Sequence, residues 1–411
     1  MTVWGAAAVD GAAAAGTLRV GLRDVVTPLA RERARELGVE IVVGAPEPPR
    51  EPAPVPPPSP LAAAGPASPV RRMRPPSGAL FRRGAPLPDA VRPGVAPDAR
   101  DSGRVVVVGA GNVGTVAALR LAESDVFTEV VLVDVDEGRA AGVALDLAHA
   151  AALSGFGTRV RGAGTVEAAG EADFVVVTAG RPRQPGMSRS DLISTNAAIV
   201  GDVARRVAAT SPRAVIVVVT NPLDEMTQHA WTSSGFPAER VLGMAGVLDT
   251  ARFQALTALT GVARADRVAA WALGSHGEEM VIPLSQASAD GRPLPAVLPG
   301  PQLDAIVDRA RGSGAEVVGL LRSGSAFLAP GLSAARMVLA MAADSGEVMP
   351  AAVLADGSYG IRDVYVGLPA RLGRGGVRGI VELDLRPDEL TALRAAADRI
   401  RERLAGLASV A

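Results

Sequence analysis

Few side chains in this chain have both the type and the spacing to do chemistry, and they fall late in it. There are three histidines, His149, His229 and His276. His276 sits in Leu273-Gly274-Ser275-His276-Gly277, a small-residue turn after the strand-like run Val268–Leu273. An imidazole in such a turn is accessible and exchanges a proton near neutral pH. From these residues alone, a catalytic and a structural role are both open. His149 and His229 lie in helical patterns outside any motif and read as structural. Gly109-Ala110-Gly111-Asn112-Val113-Gly114 fits G-x-G-x-x-G between an apolar run and a helical pattern, and Asp134 follows Gly114 by 20 residues. That spacing suits a dinucleotide site: glycines for a tight turn and close backbone approach to pyrophosphate, and an acid for the ribose hydroxyls. A carboxylate there would repel a 2′-phosphate, which favours NAD over NADP. Asp249 and Arg252 are an i,i+3 pair, and Arg183 and Arg189 lie in a Pro/Gly-rich stretch. Taken singly, these are equally well solvated surface charges.

Composition narrows the function classes. The chain has 411 residues, a net charge of −1 and no cysteine. Thiolate nucleophiles, disulfides and cysteine metal sites are therefore excluded. The near-neutral charge argues against a nucleic-acid partner. All 42 basic residues are arginine, which removes Schiff-base and P-loop lysine chemistry. No His/Asp/Glu cluster has metal-ligand spacing, so no metal is expected. No run is long and apolar enough for a membrane span, and Met1–Gly16 lacks a signal peptide's basic start, so a cytoplasmic protein is expected.

The elements that must position these residues divide the chain. Residues 1–44 predict a short helix over Thr27–Gly38, with Thr27 as cap, Pro28 at its first position, and Leu29, Ala30, Ala34 and Leu37 on one face. A strand or extended tail is expected over Val39–Val43. Residues 45–101 form a Pro-rich linker, with 17 of the 32 prolines between Ala45 and Arg100. It reads as largely disordered and carries a basic cluster, Arg71-Arg72-Met73-Arg74. From about residue 102 the pattern changes. Strands at Val105–Val108, Glu129–Val135, Phe174–Thr178 and Ala214–Thr220 alternate with helical patterns such as Val113–Ala122. This predicts an α/β fold with a Rossmann-type parallel sheet over 102–246, then an α+β substrate domain over 247–411.

At this point many ordered segments together resemble the malate/lactate dehydrogenase family, and most closely the lactate-dehydrogenase-like malate dehydrogenases of bacteria. They include Gly109–Gly114, Val133-Asp134, Thr178-Ala179-Gly180, Pro182–Arg189, Val219-Thr220-Asn221-Pro222, Leu248–Phe253, Gly274–Gly277 and Asp356–Ile361. The resemblance covers the third region and not residues 1–100. It implies NAD-dependent interconversion of malate and oxaloacetate, with lactate or another 2-hydroxy acid as the alternative. It implies that His276 takes the hydroxyl proton and Asp249 orients it. Arg252 would bind the carboxylate beside the reacting carbon, Asn221 the reacting oxygen, and Arg189, on a closing loop, would polarise the carbonyl. Asn196, Val219, Thr220 and Asn221 would add cofactor contacts. Arg183 would select a second carboxylate, where lactate enzymes usually carry Gln. Gln184 departs from the Lys common in these malate enzymes. A homodimer or homotetramer is implied. Val25–Ile41 also faintly resembles an element of enzymes in bacterial microcompartments, which would make residues 1–44 a shell-docking peptide. A competing reading makes the core an inactive scaffold for that extension.

Overall fold

The computed structural model describes residues 3–4, 6–21, 24–26, 28–44, 103–181, 189–277, 279–322 and 324–408. The Pro-rich segment and the Pro182–Ser188 stretch, Arg183 included, lie outside them. Among the described residues no helix is long and apolar enough to cross a membrane.

The N-terminal unit is richer than its sequence suggests. It runs β1 (Val3–Trp4), α1 (Ala6–Ala12), β2 (Thr17–Gly21), β3 (Val25–Val26), α2 (Pro28–Leu37) and β4 (Glu40–Gly44). The predicted helix and following strand are α2 and β4. A β-α-β segment precedes them that no periodicity announced, because α1 and the turn after it are almost entirely alanine and glycine. Val9, Leu18, Val20, Val26, Ala30, Ala34 and Val39 form a small core. Leu37, expected on the apolar face, is 39% exposed.

The second unit begins with β5 (Arg104–Val108), α3 (Asn112–Glu123), β6 (Glu129–Val133), α4 (Glu137–Ser154), β7 (Arg159–Ala163), α5 (Val166–Ala169), β8 (Phe174–Val177), α6 (Arg189–Thr210), β9 (Val215–Val218), α7 (Leu223–Ser234) and β10 (Val241–Gly243). Its strands lie parallel in the order β7-β6-β5-β8-β9-β10. This is a doubly wound sheet, with the switch in direction beside β5. The strands read as unbroken valine runs because both faces are covered. Val105 and Val107 join the core that includes Leu121 of α3 and Leu147 of α4. Val106 and Val108 face Val200 and Val207 of α6 and Met226 of α7.

The chain continues with α8 (Gly246–Ala258), β11 (Val268–Ala269), β12 (Leu273–Gly274), β13 (Met280–Val281), β14 (Ser288–Ala289), β15 (Arg292–Pro293), α9 (Leu294–Val297), α10 (Gly300–Leu321), α11 (Leu328–Ala342), β16 (Val348–Asp356), β17 (Arg362–Gly373), β18 (Gly376–Ile380) and α12 (Pro387–Ala408). β16 pairs antiparallel with β10, so the second half extends the first half's sheet through β17, β12 and β13. The expected strand Val268–Leu273 is instead two. β11 pairs with β14 in a separate three-stranded sheet, and β12 joins the main sheet. The chain crosses between sheets at 270–272, which a hydrophobic run cannot reveal. β6 stops at Val133, two residues early, because Asp134 turns its carboxylate back onto the Gly109–Gly114 turn.

That turn is packed tightly. Gly109 has φ +108, and a Cβ on Gly114 would lie 1.9 Å from the Gly109 carbonyl oxygen. Gly114→Ala should therefore force turn and helix apart and destabilise the apoprotein by about 1–3 kcal/mol. Thermal unfolding measures this. Gly142→Ala, on α4 with nothing within 4 Å of the added Cβ, is the control and should leave the midpoint unchanged or slightly raised. Equal midpoints for the two variants would remove the packing argument.

Candidate functional site

The site lies at the carboxyl ends of the parallel strands, where open α/β sheets bind ligands. The Gly109–Gly114 turn leaves β5 and enters α3. Gly111 is the residue before the helix, and no side chain caps the first amides there. A Cβ on Gly111 would meet nothing within 4 Å, in contrast to Gly109 and Gly114. The turn is thus closed on the protein side and open where a ligand would approach. The uncapped amides of Asn112, Val113 and Gly114 present partial positive charge to a phosphate. Asp134 Oδ2 accepts from the Ala110 amide at 2.9 Å, and Oδ1 from the Asp136 amide at 3.1 Å. A carboxylate offers about four acceptor positions, so both oxygens retain capacity for ribose hydroxyls. These residues fit a dinucleotide.

The proton-transfer group is assembled from separated segments. α8 presents Asp249, and the turn after β12 presents His276. His276 Nδ1 lies 2.7 Å from Asp249 Oδ2, and Arg252 Nη1 donates to Asp249 Oδ1 at 3.0 Å. One buried carboxylate therefore sits between an imidazole and a guanidinium. Burial alone pulls the His276 pKa down. The charge and hydrogen bond of Asp249, with help from Asp224, overcome this and raise it, while Arg252 opposes. With Nδ1 committed to Asp249, Nε2 is the nitrogen left for a substrate. The surface i,i+3 pair that the sequence left open is in fact a buried one with a third partner.

A second polar cluster, unread in the sequence, backs the His276 turn. Ser275 Oγ donates to Asp224 Oδ2 at 2.8 Å, and the His276 amide donates to the same oxygen at 3.1 Å. Arg403, from α12, donates to Ser275 Oγ at 2.9 Å, Glu225 at 2.5 Å and Glu279 at 2.6 Å. Burial, then neighbouring Glu225, pushes the Asp224 carboxyl up to about 6. Its Oδ1 has no partner among the described residues. The available signal was the acidic pair Asp224-Glu225 between Leu223 and Met226 in the first turn of a helix. Its partner Arg403 lies too far along the chain for any motif. A cavity of about 370 Å³ brings Asn221, Asp224, Ser275, His276 and Arg403 together.

The remaining predicted residues divide. Asn221 is exposed at the cavity rim beside His276, as expected of a group that meets a substrate. Val219 and Thr220 follow β9. Thr220 Oγ1 donates to Ala179 O at 2.7 Å, so its hydroxyl holds the neighbouring loop. Asn196 is buried and makes three hydrogen bonds. Its Oδ1 accepts from the Arg181 amide, and its Nδ2 donates to the carbonyls of Arg181 and Asn221. It holds two loops in place, and its Oδ1 keeps a second acceptor position. Arg189 begins α6, and its side chain lies outside the described residues, as does Arg183. His149 is exposed on α4, and His229 is half-buried near Ser233 on α7.

Comparison with known proteins agrees with this geometry. Residues 103–243 match the family model described as lactate/malate dehydrogenase, NAD binding domain. Residues 246–409 match its alpha/beta C-terminal domain. A malate dehydrogenase of Chloroherpeton thalassium is 45% identical over 299 residues, 73% of this chain and 96% of that protein. The crystal structure of malate dehydrogenase from Salinibacter ruber aligns with TM-score 0.71 at 39% identity, covering 75% of this chain and 98% of that one. A lactate dehydrogenase from Cryptosporidium parvum, complexed with lactic acid and NAD, aligns with TM-score 0.72 at 34% identity, covering 74% and 98%.

The raised His276 pKa is testable without substrate. Its imidazole should titrate above the ordinary value of about 6.5. Asp249→Asn removes the charge that raises it, so the titration should fall to lower pH. Nitrogen-detected NMR follows this directly, because only three histidines contribute signals. An unchanged His276 titration in the variant would remove Asp249 as the cause.

Proposed function

Because the chain belongs to the lactate/malate dehydrogenase family, we propose that it is an NAD-dependent malate dehydrogenase that interconverts (S)-malate and oxaloacetate. The observation that carries the chemistry is the Asp249-bridged pair of His276 and Arg252, in a chain that also carries a glycine turn with an acid held against it. NAD, bound along that turn, supplies the hydride acceptor. In the oxidative direction His276 Nε2 takes the hydroxyl proton as the C2 hydride departs. The resulting imidazolium is stabilised by Asp249 through Nδ1. In the reductive direction the same proton returns to the carbonyl oxygen. Arg252 holds the carboxylate beside C2, a task suited to a planar guanidinium with donors still free of Asp249. Asn221 donates to the reacting oxygen. Asp224, Ser275 and Arg403 fix the backbone of the turn that carries His276.

The choice of malate over lactate rests on Arg183 in the sequence, and the named malate dehydrogenase relatives support it. A pocket arginine left facing a methyl group is an uncompensated charge. We divide the core into a cofactor domain over 102–246 and a substrate domain over 247–411, the break lying between β10 and α8. A homodimer or homotetramer is supported by Leu145 and Leu153 on α4 and Leu320 and Leu321 on α10, which are exposed apolar side chains. Shell docking by residues 1–44 has weaker support. The helix it relies on already buries Ala30 and Ala34 in its own unit.

The decisive measurement is the ratio of kcat/KM for oxaloacetate to that for pyruvate, followed by NADH absorbance. We expect the ratio to exceed roughly 10³ in the wild type and to fall at least about a hundredfold in Arg183→Gln. Faster turnover of pyruvate by the wild type would overturn the substrate, and no turnover of either would overturn the enzyme. Reduction needs protonated His276 and oxidation needs it neutral. Reduction should therefore decline, and oxidation rise, as pH passes upward through the raised His276 pKa.

A further inference from the structure

Residues 3–44 fold as the same coil twice. Each coil is a short strand, a helix, a glycine at φ +66 and a second strand: β1-α1-Gly16-β2, then β3-α2-Gly38-β4. The two glycines are 22 residues apart, and so are the paired residues Val3 and Val25. The longer strands pair parallel and in register, Thr17 with Glu40 through Gly21 with Gly44, 23 residues apart because Val39 is inserted after Gly38. The helices are tied by an ion pair, Arg33 to Asp10 at 2.8 Å. Nothing in the amino-acid types marks this as a duplication, yet the second coil lies on the first, strand on strand, as in a solenoid.

A solenoid coil cannot bury its own face, and the last coil normally ends in a polar cap or meets another coil. Among the described residues the second coil has no such cap. Leu18 and Val20 on β2 are buried, whereas Val43, the register partner of Val20, is 58% exposed and Ile41 is half-exposed. Leu37, at the end of α2, is also exposed. A groove of about 410 Å³ runs between α2 and β4, lined by Arg31, Ala34, Arg35, Val39, Glu40 and Ile41. In the first coil the corresponding stretch, Val9 to Leu18, has Val9 and Leu18 buried. Among the described residues, β2 and β4 form a sheet of only two strands. The outer edge of β4, Glu-Ile-Val-Val-Gly, carries a single charge, so it lacks the usual protection against pairing.

We propose that the open side of the second coil receives the first coil of a second copy of this chain, head to tail. The surface that closes a coil of this geometry is another coil of the same kind, and the chain itself supplies one with a free edge. Continuing the internal register places Glu40 against Thr17, Ile41 against Leu18, Val42 against Arg19 and Val43 against Val20 of the second copy. The only charged residues on these strands are Arg19 and Glu40, of opposite sign, so no like charges are opposed. A head-to-tail contact does not close on itself, so the association is open-ended and grows with concentration. It involves residues 3–44 alone, and its failure leaves the enzyme assignment untouched.

The absence of cysteine permits a clean test on the full chain. Val42→Cys chains are mixed with Arg19→Cys chains and oxidised with copper phenanthroline; the resulting disulfide needs Cα atoms within about 7 Å, which admits paired residues on adjacent strands and excludes residues two strands apart. A cross-linked pair is expected in the mixture and not in either variant alone. Cross-linking of Val42→Cys alone indicates a two-fold contact and overturns the register; no cross-link in the mixture overturns the contact. Sedimentation of the wild type against Val43→Glu, a change at an exposed position, gives an independent readout. Wild-type mass should rise with concentration, while the variant stays at a fixed number of chains with unchanged kcat/KM. A wild-type mass independent of concentration overturns the proposal, whatever else covers the groove.

Discussion

A carboxylate that water barely reaches, Asp249, is the constraint around which the catalytic half is arranged. A buried charge is tolerated only when it is paired and hydrogen-bonded, and removing one partner costs about 3–5 kcal/mol. Asp249 has two partners, one on each oxygen. One of them, Arg252, is supplied by the same helix three residues on. The other, His276, must be brought by a different segment. The short strand β12 does this, because its pairing with β17 anchors the turn that follows it. β17 in turn pairs with β16, and β16 with β10 of the parallel sheet. The position of one imidazole is thus fixed by a continuous ladder running back to the cofactor turn. A proton group and a hydride acceptor must be held at a set distance, and a shared sheet is a rigid way to hold them.

The turn is also restrained from behind. Arg403 is shared among Glu225, Glu279 and Ser275, and Ser275 donates its own hydrogen bond to Asp224. A guanidinium suits this place, since its donors lie in a fixed plane and it cannot lose its charge. Asp224 spends one oxygen on the Ser275 hydroxyl and the His276 amide. Its raised pKa reflects a carboxylate buried beside another acid with one oxygen unpartnered. The helix at the end of the chain therefore positions a residue on a turn more than a hundred residues earlier.

Physical reasons separate what was legible in the sequence from what was not. The parallel strands were legible because burial on both faces demands unbroken apolar runs, and Val105–Val108 and Val215–Val218 are such runs. The glycine turn was legible because φ +108 at Gly109 and the contact at Gly114 admit no other residue comfortably. The division of Val268–Leu273 between two sheets was not, since both pieces need the same residue types. Arg403 was hidden because its partners are distant in sequence and each is an ordinary surface residue type. The N-terminal coils were hidden for the opposite reason. Alanine and glycine fill α1, so one half of the duplication carries almost no hydrophobic period to compare with the other.

Asn196 shows how much a single buried amide can organise. Its likeness to a cofactor contact comes from its place in the chain, and its side-chain oxygen keeps one acceptor position beside the bonds it already makes. One acceptor bond and two donor bonds are already made, to Arg181 and Asn221. What those bonds accomplish is geometric. They join the loop after β8, which leads toward Arg183, to the loop after β9, which carries Asn221. The bond to Asn221 uses that residue's backbone carbonyl and leaves its side chain exposed at the cavity rim. Without this tie, two loops from adjacent strands would move independently, and the substrate groups they carry would lose their common frame. A buried polar residue at this place therefore has a geometric reason to be there whether or not it also meets a ligand: it ties the backbones of the two loops together.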